Sequence, residues 1–238
     1  MFKENKFSVI ELASGIGSRM NSRIPKQFLE LSGEKVIFYS LDVFEKSPAD
    51  DIIITADDRY HDLILDDVIK KHGFKKCKKI VRGGSERYLS VLEGIKQIAD
   101  KDSYVIIHDS ARPLVNKKML IEAMSMVIEK KAVVCAVYSK DTVKITDGNG
   151  KIISTTDRKR TMIVQTPQLF YLPYLLEAYE NMYASGDNFV PTDDSSIVEN
   201  YTEYPVYISA GSYNNVKLTT ADDMTYIENE INLQKDIK

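Results

Sequence analysis

A glycine loop followed by three cations lies near the start of the chain. Gly15 and Gly17 come directly after a short apolar run. Within eleven residues of Gly15 there follow three cations, Arg19, Arg23 and Lys26. Glycines at the end of a strand let backbone N–H groups approach a phosphate closely, and three cations behind them suit a triphosphate. A plain tight turn beside a solvated basic face is the alternative.

Two common phosphate-binding fingerprints do not fit this loop. The dinucleotide pattern Gly-x-Gly-x-x-Gly requires a third glycine where Met20 stands, and the Walker lysine pattern is absent. The loop therefore does not predict a Rossmann dinucleotide cofactor or a P-loop.

A second pair of glycines, Gly83 and Gly84, follows another apolar run. Ser85 comes next and can cap a helix that continues through Leu92. This arrangement predicts a second set of free backbone N–H groups at the same edge of the fold. An ordinary strand–turn–helix connection is the alternative.

The stretch YVIIHDSARP places Asp109 at the end of an apolar strand. A carboxylate there is a natural Mg²⁺ ligand, because Mg²⁺ takes one or two carboxylates and fills its other positions with phosphate oxygens and water. A helix N-cap is the alternative for Asp109. His108 is predicted to be a structural residue, since no Ser–His–Asp or Cys–His arrangement is visible.

Three later segments carry polar side chains that could belong to the same site: TPQ (166–168), PTDDSS (191–196) and YNNVKLTTADD (213–223). The second and the third could be only helix caps. Lys217 interrupts an apolar alternation, and an inward-pointing lysine generally has an anionic partner.

Short apolar runs alternate with helical patterns over the first two thirds of the chain. Such β-branched runs are typical of parallel strands covered on both faces, and the alternation predicts an α/β fold with a Rossmann-like, doubly wound, mostly parallel sheet. The predicted strands are Ser8–Ala13, Ile52–Thr55, Lys79–Val81, Tyr104–His108 and Val133–Val137; the predicted helices are Val36–Lys46, Tyr60–His72, Tyr88–Ala99 and Lys117–Lys130.

Residues 140–158 break the alternation with two β-like runs around Asp-Gly-Asn-Gly, which is strong hairpin chemistry. An isolated hairpin is only marginally stable in water, so it must pack on something. Either it is a projecting arm, at about 139–159, that packs on a second subunit, or it folds back on its own domain. The whole chain, residues 1–238, is predicted to form one domain that carries this arm.

The composition excludes several classes of protein. The formal net charge of −3 argues against nonspecific binding of nucleic acid, which requires a basic surface. No stretch approaches the roughly 18 apolar residues of a membrane span, and the N-terminus lacks a signal-peptide core. Two widely separated cysteines indicate a reducing compartment. A cytoplasmic protein is therefore expected.

Taken together, the motifs resemble the 2-C-methyl-D-erythritol 4-phosphate cytidylyltransferases of the non-mevalonate isoprenoid pathway. The resemblance runs from about Val9 to Ile231 and rests on nine motifs in the family's order: ASGIGSRM, PKQF, GGSER with Ser90, HDSARP, KDT, DR, TPQ, TDDSS and NNVKLTT. The sister family of ribitol-5-phosphate cytidylyltransferases shares most of them. The resemblance implies Mg²⁺-dependent transfer of CMP from CTP to an alditol phosphate, with release of pyrophosphate.

The resemblance also implies a role for each matching residue. Arg19, Lys26 and Lys217 would act on the phosphates as catalytic cations, and Asp109 would hold Mg²⁺. The CTP loop and the surroundings of cytosine and ribose would be formed by Ala13, Ser14, Gly15, Gly17, Gly84, Ser85, Arg87 and Ser90. The acceptor would meet Ser110, Arg112, Thr142, Arg158, Thr166 and Thr192. In this family the arm crosses to the other subunit of a homodimer, so Thr142 and Arg158 would act in the partner's site.

Three residues depart from the family pattern. Ser14 follows Ala13 where two small residues such as Ala-Ala are common, Ser85 stands where the family often has Asp, and Glu11 stands where an apolar residue is usual. Since side chains of a strand alternate, Glu11 is expected to point away from the phosphates towards a helix-covered face, where a buried carboxylate requires a partner.

Methylerythritol phosphate is the expected acceptor, favoured by TDDSS and DR over ribitol 5-phosphate. A nucleotide-binding regulatory protein without turnover is the alternative from another class, motivated by Glu11 and Ser85. Uridylyl or adenylyl transfer to a sugar phosphate is a further alternative.

Overall fold

The computed structural model describes residues 1–15 and 24–236. The elements of the first half are β1 (Phe7–Ala13), a 3-10 turn (Lys26–Phe28), β2 (Glu30–Leu31), β3 (Glu34–Lys35), α1 (Val36–Glu45), β4 (Asp51–Ala56), a 3-10 turn (Asp58–Tyr60), α2 (His61–Leu63), which continues as a π-helical stretch (Ile64–Lys70), β5 (Cys77–Arg82), α3 (Arg87–Ile95) and β6 (Tyr104–Asp109). The elements of the second half are α4 (Lys117–Lys130), β7 (Ala132–Tyr138), β8 (Lys144–Thr146), β9 (Ile152–Thr155), a 3-10 turn (Arg158–Arg160), β10 (Met162–Tyr171), α5 (Leu172–Ser185), α6 (Asp194–Tyr201), β11 (Tyr207–Ala210) and α7 (Ala221–Asp236).

The central sheet has seven strands in the order β11-β7-β10-β6-β1-β4-β5. Every neighbouring pair is parallel except the two that involve β10, which runs antiparallel to β6 and β7. The predicted α/β class with a mostly parallel sheet is confirmed. The five predicted strands are all present, each extended by one to three residues.

Helices cover both faces of the sheet. The side chains of β1 are therefore buried on both faces, which explains why its sequence is so apolar. Val9 packs on one face with Leu41 of α1 and with α4. Its neighbour Ile10 packs on the opposite face with Val91 of α3 and with α5. Full burial of one such side chain contributes about 1.5–3 kcal/mol, so an unbroken apolar strand between two helical layers is strongly favoured.

Glu11 lies on the same face of β1 as Val9, and it is completely buried. Its Oε1 accepts a hydrogen bond from the hydroxyl of Ser40 on α1. Burial raises the pKa of the Glu11 carboxyl well above its ordinary value, against the opposing effect of the Ser40 hydrogen bond. The predicted orientation towards a helix-covered face is thus confirmed, and Ser40 is the partner that the sequence did not reveal.

The beginning of α3 differs from the prediction. The helix starts at Arg87, and Glu86 occupies the N-cap position without a side-chain capping bond. The prediction that Ser85 caps this helix is therefore wrong. Ser85 lies one residue before the N-cap residue, and it is exposed.

Two strands of the sheet, β10 and β11, were not predicted. The long strand β10 carries Pro167 in its middle, where a sequence pattern argues against a central strand. The structure accommodates the proline because the pairing register of β10 with β7 shifts between Val164 and Gln168.

The predicted hairpin is present as β8 and β9, which pair with each other in a separate two-stranded sheet. The carboxylate of Asp147 accepts the backbone N–H groups of Asn149 and Lys151 and so closes the turn. Three isoleucines of the hairpin are largely exposed: Ile145, Ile152 and Ile153. Among the helices that the structure describes, none has the length and apolar character needed to cross a membrane.

Candidate active site

The carboxyl ends of four parallel strands, β1, β4, β5 and β6, meet at one edge of the sheet. Leu12 of β1 is in register with Asp109 of β6, and Ala56 of β4 is in register with both Ala13 of β1 and Arg82 of β5. The two glycine segments and the Asp109 segment therefore begin side by side, as expected for the ligand-binding edge of an open α/β sheet.

The first and second glycine segments are in direct contact. Ser14 Oγ lies 2.8 Å from Ser90 Oγ, and Ser90 Oγ also accepts the backbone N–H of Gly84 at 3.0 Å. A Cβ added at Gly83 would come within 2.4 Å of the Ser14 Cβ, so only glycine fits there without movement. Three residues predicted to bind the nucleotide, Ser14, Gly84 and Ser90, are thereby brought together. Ser85, which follows Gly84, is exposed.

The start of the first loop is held by Gln27, a buried side chain that the sequence reading left without a role. Its amide donates to the carbonyl of Ala13 and, at 3.0 Å, to the carbonyl of Gly15. Lys26 precedes it in the 3-10 turn. Gly17 and Arg19 lie outside the described residues.

Asp109 lies between two cations at the end of β6. Arg87 Nε donates to Asp109 Oδ1 at 3.1 Å, and Lys217 Nζ donates to Oδ2 at 2.6 Å. Burial acts to raise the pKa of Asp109, but Arg87 and Lys217 outweigh it and hold the pKa of this carboxyl well below its usual range. Asp109 is therefore ionised, and the anionic partner predicted for Lys217 is identified.

Arg87 also reaches a second carboxylate. Its Nη1 donates to Asp194 Oδ2 at 2.8 Å, and Asp194 is completely buried at the start of α6. Burial raises the pKa of Asp194 against the attraction of Arg87. Arg87 thus bridges two carboxylates rather than pointing into open solvent.

A cleft of about 420 Å³ opens over these groups. Its lining is predominantly polar and includes four of the predicted acceptor and catalytic residues, together with neighbours on β10 and α6: Arg87, Asp109, Arg112, Val164, Gln165, Thr166, Gln168, Thr192, Asp193, Ser195, Ser196, Glu199 and Lys217. A cleft with this lining suits a small, anionic, hydroxylated ligand.

The side chain of Arg112 is held by the segment that precedes α7. Its Nη1 donates to the backbone carbonyl of Asn215 at 2.9 Å, and the buried Asn215 amide donates to the carbonyl of Thr166 at 2.8 Å. Within the part of the chain that the structure describes, the buried Nε of Arg112 has no hydrogen-bond partner.

The hydroxyls of Ser110 and Thr166 are engaged with the protein. Ser110 Oγ donates to the Leu12 carbonyl at 2.7 Å. Thr166 Oγ1 accepts the backbone N–H of Asp109 at 3.1 Å. Both residues therefore stabilise the end of β6, whatever they contribute to a ligand.

The segment that carries Thr192 is fixed by the N-terminus of α6. Asp193 forms a reciprocal capping box with Ser196, and Gln168 on β10 accepts the N–H groups of Asp194 and Ser195 through Oε1. The helix cap that the sequence offered as an alternative is present, and it positions the cleft wall.

Thr142 and Arg158 lie on the arm, hydrogen-bonded to each other at 3.1 Å. Neither lines the cleft of its own chain. The structure thus brings the other predicted acceptor residues to the cleft or its floor but leaves these two apart.

Four buried residues of the site were missed: Gln27, Gln168, Asp194 and Asn215. Each stands inside a quoted motif, namely PKQF, TPQ, TDDSS and NNVKLTT. The motifs were therefore the available signal, but a polar residue type alone does not say which partner it will meet.

The donor set suits Mg²⁺ bound by one carboxylate together with phosphate oxygens. Asp109 supplies an ionised carboxylate facing a polar cleft. Among the described residues, no three His, Cys, Asp or Glu side chains gather into a site that could hold a metal by themselves. The residues present therefore fit a metal that arrives with a polyphosphate.

A family model described as 2-C-methyl-D-erythritol 4-phosphate cytidylyltransferase (IspD) matches residues 7–232. The chain belongs to this family. A relative from Lachnoclostridium phytofermentans with the same name is 44% identical over 223 residues, which cover 94% of this chain and 95% of that one. A relative from Lachnospira eligens, also so named, is 39% identical and covers 91% and 95%.

Solved structures of IspD proteins have the same fold. The 4-diphosphocytidyl-2C-methyl-D-erythritol synthase from Anaerococcus prevotii superposes with a TM-score of 0.83 at 31% identity and covers 96% of both chains. The Francisella tularensis 2-C-methyl-D-erythritol 4-phosphate cytidylyltransferase gives 0.77 at 28% identity, covering 93% of this chain and 98% of that one. The predicted family, and with it the nucleotidyltransferase class of enzyme, is confirmed.

Proposed function

We propose that this IspD chain transfers CMP from CTP to 2-C-methyl-D-erythritol 4-phosphate and releases pyrophosphate. The observation that carries the proposal is the ionised Asp109 between Arg87 and Lys217, at the sheet edge where two glycine segments meet. The family and its relatives favour this acceptor over ribitol 5-phosphate, and they do not favour a regulatory protein without turnover.

The chemistry requires positioning of charge rather than a strong base. The attacking group is the acceptor phosphate, whose second pKa of about 6 leaves it mostly dianionic at neutral pH. What must be overcome is the approach of one anion to another and then the charge on the leaving pyrophosphate. Lys26, Arg19 and Lys217 meet that demand in this proposal, with the backbone of the first loop on the triphosphate.

Mg²⁺ is part of the proposal, with Asp109 as its protein ligand. When bound, it would neutralise charge on the phosphates of CTP. Lys217 lies 2.6 Å from the same carboxylate, so its ammonium group is placed beside the phosphates that this metal would accompany.

The acceptor is assigned to the cleft of about 420 Å³. Arg112, which lines this cleft, would bind the phosphate of the acceptor through its guanidinium group. Thr192 and the polar start of α6 would face the hydroxyls. Ser14, Gly84, Ser85 and Ser90 would lie around the nucleoside.

We further propose a homodimer formed through the hairpin arm, which would place Thr142 and Arg158 in the partner's cleft. The exposed isoleucines of the arm support it, since a lone hairpin with an apolar surface requires a partner. The two edge strands of the central sheet also differ in a way that supports a dimer. The edge strand β5 carries the exposed Lys78 and Lys79, which protect an edge against pairing, whereas β11 exposes Tyr207 and Ile208.

The proposal also treats residues 1–238 as one catalytic domain with an arm at about 139–159, working in the cytoplasm without nucleic acid or membrane partners. Cys77 and Cys135, which form no disulfide, support a reducing compartment.

The test is pyrophosphate release from CTP with each alditol phosphate at saturating Mg²⁺. Turnover with methylerythritol phosphate is expected, together with the CDP-alditol product. Faster turnover with ribitol 5-phosphate would overturn the acceptor, equal turnover with UTP or ATP would overturn the nucleotide, and CTP binding without any product would favour a regulatory role.

A further inference from the structure

His108 lies completely buried one residue before Asp109, and the proposed reaction gives it no role. Its Nε2 lies 3.1 Å from the backbone carbonyl oxygen of Arg112, and its Nδ1 lies 3.1 Å from Thr166 Oγ1. The ring of Phe44 on α1 meets the imidazole edge-on, with 5.2 Å between the ring centroids. Both ring nitrogens and the ring plane are thus fixed.

The partners determine where the proton of the ring lies. A carbonyl oxygen can only accept, so Nε2 carries the hydrogen and donates it to Arg112. In a neutral ring Nδ1 is then the acceptor, and the hydroxyl of Thr166 donates to it. The same hydroxyl oxygen accepts the backbone N–H of Asp109 at 3.1 Å. Burial lowers the pKa of His108 to about 4, in agreement with a neutral ring.

The imidazole therefore joins the end of β6 both to the turn that follows it and to β10, which is distant in sequence. The turn is held from both sides, because the Arg112 N–H donates to the Asp109 carbonyl at 2.8 Å while its own carbonyl accepts from His108.

We infer that His108 is a positioning residue for cytidylyl transfer, and this inference rests on the proposed function. Through Thr166, its Nδ1 fixes the backbone of Asp109. Through the carbonyl of Arg112, its Nε2 fixes the backbone from which the guanidinium that binds the acceptor phosphate extends.

Two conservative variants separate the hydrogen bond of Nδ1 from that of Nε2. In His108→Asn the side-chain amide ends near the position of Nδ1, so it can accept from Thr166 but falls short of the Arg112 carbonyl. In His108→Gln the amide nitrogen reaches the position of Nε2, so it can donate to Arg112 but leaves Thr166 without its acceptor. Each variant thus retains one link and loses the other.

The kinetic constants should divide accordingly. His108→Asn is expected to raise the acceptor KM about fivefold or more with kcat within about twofold of wild type, since one lost hydrogen bond corresponds to roughly that factor. His108→Gln is expected to lower kcat about fivefold or more with the acceptor KM within about twofold. If both variants change kcat and KM alike, or if neither changes them, the inference is overturned, because a merely structural histidine would produce no such split.

A second measurement needs no turnover. The ring nitrogens of the three histidines of the wild-type chain can be observed by long-range ¹H–¹⁵N NMR spectra. A neutral ring protonated at Nε2, absent from the spectrum of His108→Gln, is expected; a ring protonated at Nδ1 overturns the inference. The spectrum shows which ring nitrogen of His108 carries the proton even if the wild-type chain shows no CTP-dependent turnover. Failure of the proposed function is therefore distinguished from failure of this inference.

Discussion

Asp109 keeps its charge inside a largely buried site because two cations face it. Each of its oxygens accepts a charge-assisted hydrogen bond, one from Arg87 and one from Lys217. Asp194 neutralises the far side of Arg87, so the three groups form a chain of alternating charge. Such a chain is preorganised for polyphosphate, since its cations are held in place before the ligand arrives.

Replacement of Lys217 by methionine tests this arrangement at a single residue. The ammonium group is lost, while an unbranched side chain that is only one atom shorter is retained. The expected fall in kcat/KM is about 100-fold, the scale of losing one preorganised donor to a developing negative charge. Lys96→Met, which removes an exposed lysine at the C-cap of α3, is the matched control and should leave kcat/KM unchanged. A fall of less than tenfold for Lys217→Met would contradict the assignment.

Glu11 makes the stability of the chain depend on pH. Burial raises the pKa of its carboxyl well above the ordinary 4.5 in the folded chain. Above pH 4.5 the unfolded chain releases this proton while the folded chain still holds it, so stability is greatest below that pH and falls as the pH rises towards the raised pKa. The slope is about 1.4 kcal/mol per pH unit.

Glu11→Gln should therefore gain stability relative to wild type as the pH rises above 4.5 towards the raised pKa of Glu11, with that slope. Urea unfolding at intervals of one pH unit measures it. Ser40→Ala, which removes the hydrogen-bond partner but retains the carboxyl, is the control and should keep the wild-type slope. Parallel curves for Glu11→Gln and wild type would show that the carboxyl is ionised in the folded chain.

At the scale of elements, the sequence predicted those strands and turns that a local sequence pattern determines. The unbroken apolar runs of β1 and β6 identified central strands, and the glycine segments marked the edge where they end. β10 escaped prediction because Pro167 argues against a central strand, and only the register shift beside it makes the pairing possible. The motifs located the site, but the orientation of Arg87 depends on Asp194, which is 107 residues away along the chain. No local pattern contains that information.

The contact between the two glycine segments can be tested by Gly83→Ala. The added Cβ would lie 2.4 Å from the Ser14 Cβ, so the segments must separate. We expect the KM for CTP to rise about tenfold, with a destabilisation of about 1–3 kcal/mol from the overpacking. Ser14→Gly removes the opposing Cβ and, combined with Gly83→Ala, should restore much of the loss. Additive damage in the double variant would contradict the steric explanation.

At the scale of the whole molecule, the cleft of one chain is incomplete if Arg158 binds the acceptor. Arg158 lies on the arm with Thr142, outside the cleft of its own chain. In the proposed two-fold dimer each arm would serve the other subunit's cleft, and symmetry would make the two exchanges equivalent. The apolar side chains exposed on β7, β10 and β11 extend the surface available for that contact: Tyr138, Ile163, Val164, Tyr207 and Ile208.

Complementation between two inactive variants distinguishes an arm that acts in the partner's cleft from one that acts in its own. Arg158→Ala and Asp109→Asn are each expected to have very low kcat/KM. In a mixed dimer with arms exchanged, one cleft carries both defects and the other carries neither. Coexpression in equal amounts gives half mixed dimers, so about a quarter of all clefts should be intact and activity should recover to about that fraction.

If the arm serves its own cleft, or the chain is a monomer, each cleft retains one defect and coexpression restores nothing. Mixing the two purified proteins under conditions that prevent subunit exchange is the control, and it should show no recovery in either case.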